Sequence, residues 1–514
     1  MEVTHVRYKP RRKAQGSRPV SILASFLVVI TIGGCSKADI SADADVGGSE
    51  DAAAEEESDD GPVESISETV SRETAGPASC SDSTACPADN DPCEILACVS
   101  GICLLTFRPK GYVVADQTNG DCHVNRCDGS GNVVSEIDDA NVTDDGKQCT
   151  RDICQAGVPS NPPVPPGTAC TDNGGDHCSS RGDCIISQTF FVVRVGDGST
   201  ALTSAASPVF LEEQQLDGTV LRVIPLPTTT MGANHRFTDS GVAQSDGALA
   251  RSADGRFVAL AGYDAMVGTP RIVRSSATAS PRIVARVDRM GGVDTSTSLT
   301  NAFDADNVRS AVTVDGTAFW VGGNSVGGSG IQSLLLGGST GTPIASNLSN
   351  VRILQIVDGR LYGSAGTFPF NNVFTVGSGI PTTQTMATPL PGSFPSAEVP
   401  YGFLLLDQSA TVTGPDTLYV VDERPPAMGG GIQKWKYDGT NWTNMMTFGG
   451  SGFRGLAGVI KGPNVWLLAS TADPNGGNSL TAFLDDGGGT PVPMPSARVD
   501  GTTKVFRGIA VSPQ

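Results

Sequence analysis

Ser252-Ala253-Asp254-Gly255-Arg256-Phe257-Val258-Ala259-Leu260 decides the fold. Glycine readily takes the positive φ of a tight hairpin turn, so Asp254-Gly255 marks a reversal, and the aromatic and apolar run after it marks a strand. The same grammar returns at Val314-Asp315-Gly316-Thr317-Ala318-Phe319-Trp320, Val357-Asp358-Gly359-Arg360-Leu361-Tyr362, Gly414-Pro415-Asp416-Thr417-Leu418-Tyr419 and Gly462-Pro463-Asn464-Val465-Trp466-Leu467. Successive turns stand 61, 43, 58 and 48 residues apart, a span that suits one four-stranded blade with loops of varying length. From Phe190 onward short alternating apolar runs recur and no long stretch has helical apolar spacing, so the unit is β throughout. The expected architecture is a β-propeller.

A second echo opens strands at Arg309-Ser310-Ala311-Val312, Arg352-Ile353-Leu354, Phe453-Arg454-Gly455-Leu456-Ala457 and Phe506-Arg507-Gly508-Ile509-Ala510. The last of these comes too late in the chain to begin a blade. The strands expected over residues 190–195, 209–214 and 221–225 lack such an opening strand. The final strand is therefore expected to complete the first blade and close the ring without leaving a sheet edge. Five internal blades and this composite one make six; seven is the nearest alternative. Irregular repeat length keeps a pair of β-sandwiches or a solenoid as the competing folds.

Asp254-Gly255-Arg256-Phe257 resembles the hairpins of bacterial surface and periplasmic propeller repeats. That resemblance implies an architecture shared by hydrolases, lyases and lipoprotein-handling factors, and no particular activity.

Upstream, residues 80–186 carry Cys80, Cys86, Cys93, Cys98, Cys103, Cys122, Cys127, Cys149, Cys154, Cys170, Cys178 and Cys184, whereas residues 187–514 carry none. An even number of cysteines in a short segment of an exported chain reads as a disulfide framework standing in for a core. Cys93 and Cys98, Cys122 and Cys127, and Cys149 and Cys154 stand five apart after acidic, turn-forming leads, which predicts small tandem modules and leaves connectivity open. Zinc is disfavoured, since only His123 and His177 accompany the cysteines and no short Cys-x-x-Cys knuckle occurs. The Asp138-Asp139 and Asp144-Asp145 pairs lack the alternating order of a calcium loop and read as solvated turns. Arg181-Gly182-Asp183 spells an adhesion tripeptide but reads as a disulfide-closed turn. Prolines crowd residues 159–166, which predicts a stiff spacer. Cys149-Thr150-Arg151-Asp152-Ile153-Cys154-Gln155-Ala156-Gly157-Val158-Pro159, with Pro165-Pro166-Gly167-Thr168-Ala169-Cys170, resembles the Cys-rich repeats of myxobacterial-type surface lipoproteins; no activity comes with that resemblance.

Residues 36–79 hold 13 acidic and 2 basic side chains and no aromatic residue, a composition too poor in apolar surface to offset ordering entropy, so a disordered tether is expected. Before it, Arg7, Lys9, Arg11, Arg12, Lys13 and Arg18 precede an apolar run over residues 20–32 that is short for a bilayer span and reads as an export signal. It ends in Ile32-Gly33-Gly34-Cys35, which resembles a bacterial lipobox and implies lipidation of Cys35. The expected organisation is a signal peptide over 1–34, a lipidated acidic tether over 35–79, Cys-rich modules over 80–186 and a propeller over 187–514. The formal net charge of −19 makes nucleic acid a poor partner.

The propeller has one histidine, His235, with Asp239 four residues on as a conceivable orienting group; a surface loop is the plainer reading. Trp320, Trp435, Trp442 and Trp466 read as packing rather than as a sugar platform. No catalytic residue, metal or cofactor is assigned. The expectation is a lipid-anchored bacterial cell-envelope protein, at the outer membrane or cell surface, that meets the membrane through Cys35 and offers its propeller to an unidentified protein or carbohydrate. The alternative is an extracellular propeller enzyme acting on polysaccharides or lactones.

Overall fold

The five repeated turns each join the first and second strands of an antiparallel sheet. The computed structural model describes residues 79–87, 90–325, 328–392, 399–450, 452–471 and 478–514; the expected leader, Cys35 and nearly all of the acidic tether lie outside them. In chain order the hairpins pair Leu249–Arg251 with Phe257–Tyr263, Val308–Thr313 with Ala318–Gly323, Ile353–Val357 with Arg360–Ser364, Pro400–Leu406 with Thr417–Asp422, and Phe453–Lys461 with Asn464–Thr471. Two further strands complete each sheet on its outer side. These are blades two to six.

Blade one is assembled from both ends of the propeller sequence. Val505–Val511 lies beside Phe190–Val195, which pairs with Ala206–Gln214 and through it with Val220–Pro225. The register sets Val505 against Val195, Phe506 against Arg194 and Val511 against Phe190. The late strand thus takes the inner position, and the count is six blades among the described residues. A short strand, Thr238–Ser240, ties blade one to blade two by pairing with both Ala206–Gln214 and Phe257–Tyr263.

The six inner strands contact one another around the axis, each with the next and the last with the first. On three of the six strands the approach leaves no room for a Cβ. Gly402, Gly455 and Gly508 stand at matching positions, and a Cβ on Gly508 would fall 2.3 Å from the Leu249 nitrogen and 2.5 Å from the Gly247 oxygen. Between blades the sheets bury mixed aromatic and aliphatic layers, among them Phe191, Leu211, Leu260 and Ile283 between blades one and two, and Tyr419, Leu467 and Phe483 between five and six. Each such side chain contributes about 1.5–3 kcal/mol by leaving water.

Four small hairpins precede the ring: Glu94–Val99 with Ile102–Phe107, His123–Cys127 with Val133–Ile137, Ile153–Gln155 with Val158–Ser160, and His177–Cys178 with Cys184–Ile185. The twelve cysteines pair as Cys80–Cys98, Cys86–Cys103, Cys93–Cys127, Cys122–Cys154, Cys149–Cys178 and Cys170–Cys184. Cysteines five apart are therefore not bonded to each other. The first of each pair reaches into the following module, so successive hairpins are stapled in a stagger. The proline-rich stretch is not a free spacer: the Arg151 N–H donates to the Pro162 carbonyl at 3.0 Å and the Val164 N–H to the Cys149 carbonyl at 2.9 Å, folding it back onto its own module.

The last module docks on blades one and six. Lys461 pairs with Asp176, the Asn464 amide donates to the Asn173 carbonyl at 2.5 Å, and both terminal nitrogens of Arg181 donate to carbonyls of Pro495 and Ser496. Arg181-Gly182-Asp183 is consequently a docking turn, its arginine committed to the propeller. The lysine and asparagine stand at the Lys461-Asn464 hairpin, so the module occupies the end of the ring where the repeated turns lie.

Candidate functional site

The opposite end of the channel is where charge collects. Each inner strand begins there, and the echo seen in the sequence places one side chain of each at the mouth: Arg309, Arg352, Tyr401, Arg454 and Arg507, with Gly247 in the sixth position. The alignment is held by main-chain bonds across neighbouring strands, Gly508 N–H to the Gly247 carbonyl and Ala248 N–H to the Arg309 carbonyl, each at 3.0 Å. Tyr401 is flanked by two guanidiniums, Arg352 at 4.0 Å and Arg454 at 4.3 Å from its ring centre. Gly247 is a glycine for two reasons. Its φ is +76°, and a Cβ there would meet Asp239 Oδ2 at 3.1 Å and the Arg507 stem at 3.2 Å, closing the path by which that arginine crosses toward the carboxylate.

Three carboxylates answer the four arginines. Glu423 pairs with Arg454. Asp246 accepts hydrogen bonds from Asn307 at 2.8 Å, Ser245 at 3.0 Å and the buried Tyr263 hydroxyl at 3.0 Å. Asp239 lies behind Gly247 and takes the Ser240 N–H at 2.7 Å. Burial, and then the charge of Asp246, push Asp239 well above the usual carboxylate range; burial pushes Asp246 up as well, against the pull of Arg309. The arginines are strained in the other sense. Burial lowers Arg507, Asp239 and Asp246 draw it back, and Arg454 adds to the lowering. Burial likewise lowers Arg352, which feels both Arg309 and Arg454 as like charges. Guanidiniums remain charged at any physiological pH, so the mouth is positive in a chain that is strongly negative overall.

Hydrogen bonding here is incomplete. The Nε atoms of Arg309, Arg454 and Arg507 are buried without a partner. The throat between Tyr401, Arg454 and Arg507 is only about 20 Å³, room for a water or a single small ion. Beside it a cavity of about 290 Å³ opens between blades one and six, lined by Ala201, Leu202, Val242, Asn478, Val505 and Arg507. At the other end of the channel Ala250, Ile356, Leu404 and Ile509, together with Arg251 and Gln355, line about 200 Å³.

The remaining sequence candidates fall elsewhere. His235 Nδ1 lies 3.1 Å from Asp264, not from Asp239, and Arg236 shares that carboxylate at 2.7 Å, which makes an ion-pair cluster. Gly337-Gly338-Ser339-Thr340-Gly341, which is not among those candidates, has the spelling of a nucleophile elbow, yet it lies in the connection between Ile331–Leu335 and Thr342–Pro343 rather than on a strand-to-helix turn. Trp320, Trp435, Trp442 and Trp466 are all buried. The acidic pairs of the Cys-rich region cap turns: Asp139 accepts from the Gly157 N–H at 3.0 Å and Asp145 from the Lys147 N–H at 2.9 Å. The mouth arginines were visible in the sequence only as a strand-opening echo; one charged residue type at one position of four repeats is the signal that marks them as a site.

No family model matches the sequence, and no curated relative does. Among solved structures the chain is similar to TolB from Acinetobacter baumannii, with 14% identity, a TM-score of 0.40, and coverage of 64% of this chain and 67% of that one. It is also similar to a putative 6-phosphogluconolactonase from Bacteroides uniformis, with 13% identity, a TM-score of 0.34, and coverage of 59% and 81%. A chain of a nidogen/laminin complex follows at 14% identity and a TM-score of 0.36, covering 63% and 98%. At these identities and scores none of them bears on activity. Among the described residues no helix is long and apolar enough to cross a membrane.

Proposed function

We propose that the chain is a lipid-anchored envelope or surface protein whose propeller is a rigid binding platform, with the arginine mouth as its ligand-bearing face. The observation that supports this reading is the division of labour between the two ends of the ring. The last Cys-rich module occupies the end with the repeated hairpins, through Lys461, Asn464 and Arg181, while the convergent arginines stand at the other. A propeller mounted by one end leaves the opposite mouth open to a partner. Binding fits this mouth better than catalysis, because Asp239 and Asp246 are walled in at 1% and 3% exposure and engaged by Ser240, Tyr263 and Asn307, and the third carboxylate, Glu423, is held in an ion pair by Arg454.

Anchoring rests on the basic leader, the short apolar run and the Ile-Gly-Gly-Cys boundary, and agrees with a disulfide-built stalk that requires an oxidising compartment. Metabolic labelling with an alkynyl fatty acid tests it: the wild-type chain takes label and partitions with membranes, and Cys35→Ala does neither. Equal labelling of the two would overturn the anchor.

A further inference from the structure

We propose that the arginine mouth is an oxyanion site for a small free organic acid, which sets its carboxylate or phosphate on Arg507 and its short apolar body in the 290 Å³ cavity between blades one and six. The inference rests on the reading of this mouth as the ligand-bearing face and names what that face takes.

Arg507 carries the argument. It is 7% exposed, and its Nε has no partner, while a terminal nitrogen donates to the Gly241 carbonyl at 3.1 Å. A buried guanidinium with an idle donor is costly unless something accepts from it, and the natural acceptor is an anion with two oxygens, which a guanidinium grips in fork geometry. The nearest internal candidate is Asp239, and it is a poor match. It is buried beside Asp246, so two carboxylates compete for ionisation in one wall. Arg454, with a second partnerless Nε, borders the same throat and supplies a second prong.

Shape decides the rest of the ligand. Arg507 and Gln244 line both the throat and the side cavity, and of the two only Arg507 carries a charge. Asn478, on the cavity wall, is already committed: its side chain accepts from the Phe506 N–H at 2.6 Å and donates to the Phe506 carbonyl at 3.1 Å. Of the other walls, Ala201, Leu202, Val242 and Val505 offer apolar surface, Gln244 and Thr502 are polar, and none carries a further charge. The volume sits at the small end of ligand sites, and the throat is too narrow to pass a chain through the ring. The occupant is thus compact, anionic at one end and apolar at the other.

The test uses the full-length chain, with hexanoate, hexyl phosphate, hexanol and a short peptide ending in a leucine free acid as probes, read by calorimetry and by thermal shift at low salt. Hexanoate or hexyl phosphate should bind at millimolar concentration or below and raise the melting temperature, with affinity falling as salt is added; hexanol should do neither. Arg507→Met should weaken the acids at least tenfold. Because that change is buried, a rim pair guards against misfolding: Val242 is half exposed, so Val242→Glu should leave unliganded melting unchanged and weaken the acids at least tenfold, while Val242→Lys binds at least as well as wild type. Equal binding of hexanol, equal behaviour of the two Val242 variants, binding of the peptide alone, or no binding by any probe would each overturn the proposal. Loss of lipid labelling with acid binding intact would count against the anchor only.

Discussion

Deleting residues 505–514 removes the strand that closes the ring. Val505, Phe506 and Ile509 are 8%, 3% and 3% exposed, packed with Val192, Phe190, Leu468 and Leu480 on the blade-six side and with Val195 and Leu211 on the blade-two side. At about 1.5–3 kcal/mol for each fully buried large apolar side chain, their loss is worth roughly 5–9 kcal/mol. The ladder to Phe190–Val195 adds net hydrogen bonds of about 1 kcal/mol each. A domain of this kind has about 5–15 kcal/mol in total, so the deletion should remove most or all of the propeller's stability. The four tryptophans all lie in the propeller and none in the Cys-rich region, so guanidinium unfolding followed by tryptophan fluorescence reports on the ring alone. The truncated chain should show no cooperative transition, or one shifted to very low denaturant, and should aggregate through the bared edge of Phe190–Val195. A transition with the wild-type midpoint and slope would refute the closure.

The stagger of the disulfides predicts that Cys93→Ala with Cys127→Ala loosens the junction of the first two modules by about 2–5 kcal/mol, seen as new protease sites between residues 90 and 130, while the propeller transition stays put. Gly508→Ala should destabilise the ring by about 1–3 kcal/mol in the same fluorescence assay, because its methyl group meets the main chain of Leu249 and Gly247 rather than a movable side chain. Burial pushes Asp176 up, but hydrogen bonds from His177 and Lys461 outweigh it and hold its pKa at about 2, below the ordinary 3.8. Since the folded value is the lower one, its contribution to module docking is fully present above pH 3.8 and fades as pH falls toward 2; Lys461→Ala should raise the Asp176 pKa toward 3.8 by carbonyl NMR, and an unmoved value would show that the pair is incidental.

Local grammar made the ring legible. A turn that needs positive φ, followed by strand formers, is a nearest-neighbour fact, and Asp254-Gly255, Asp315-Gly316 and Asp358-Gly359 all proved to be the first hairpins of their blades. The late strand at Phe506 was legible too, because a strand without partners must find them at the other end. What depends on register through space was not. Cysteine spacing cannot say that Cys93 passes over Cys98 to reach Cys127, since both separations suit a bridge. His235 and Asp239 are neighbours in sequence, yet the strand Thr238–Ser240 carries Asp239 to the channel while the imidazole turns to Asp264. Prolines 159–166 promised a rod, and the Val164 N–H drew them back onto Cys149. The arginines were in view as an echo without a meaning, because only ring closure brings Arg507 beside Arg454 and makes four isolated charges into one mouth.

Closure by the last strand also sets an order of events for a chain made from its N-terminus. The bridges of the stalk link cysteines 14 to 34 residues apart, so each hairpin can lock soon after it emerges. The ring cannot: Val195 must wait for Val505, and until then the Phe190–Val195 edge stands open through the delivery of five blades. The newborn protein is for that interval a finished pedestal carrying an unfinished wheel, and whatever shields that edge before the last strand arrives governs how much of it folds intact.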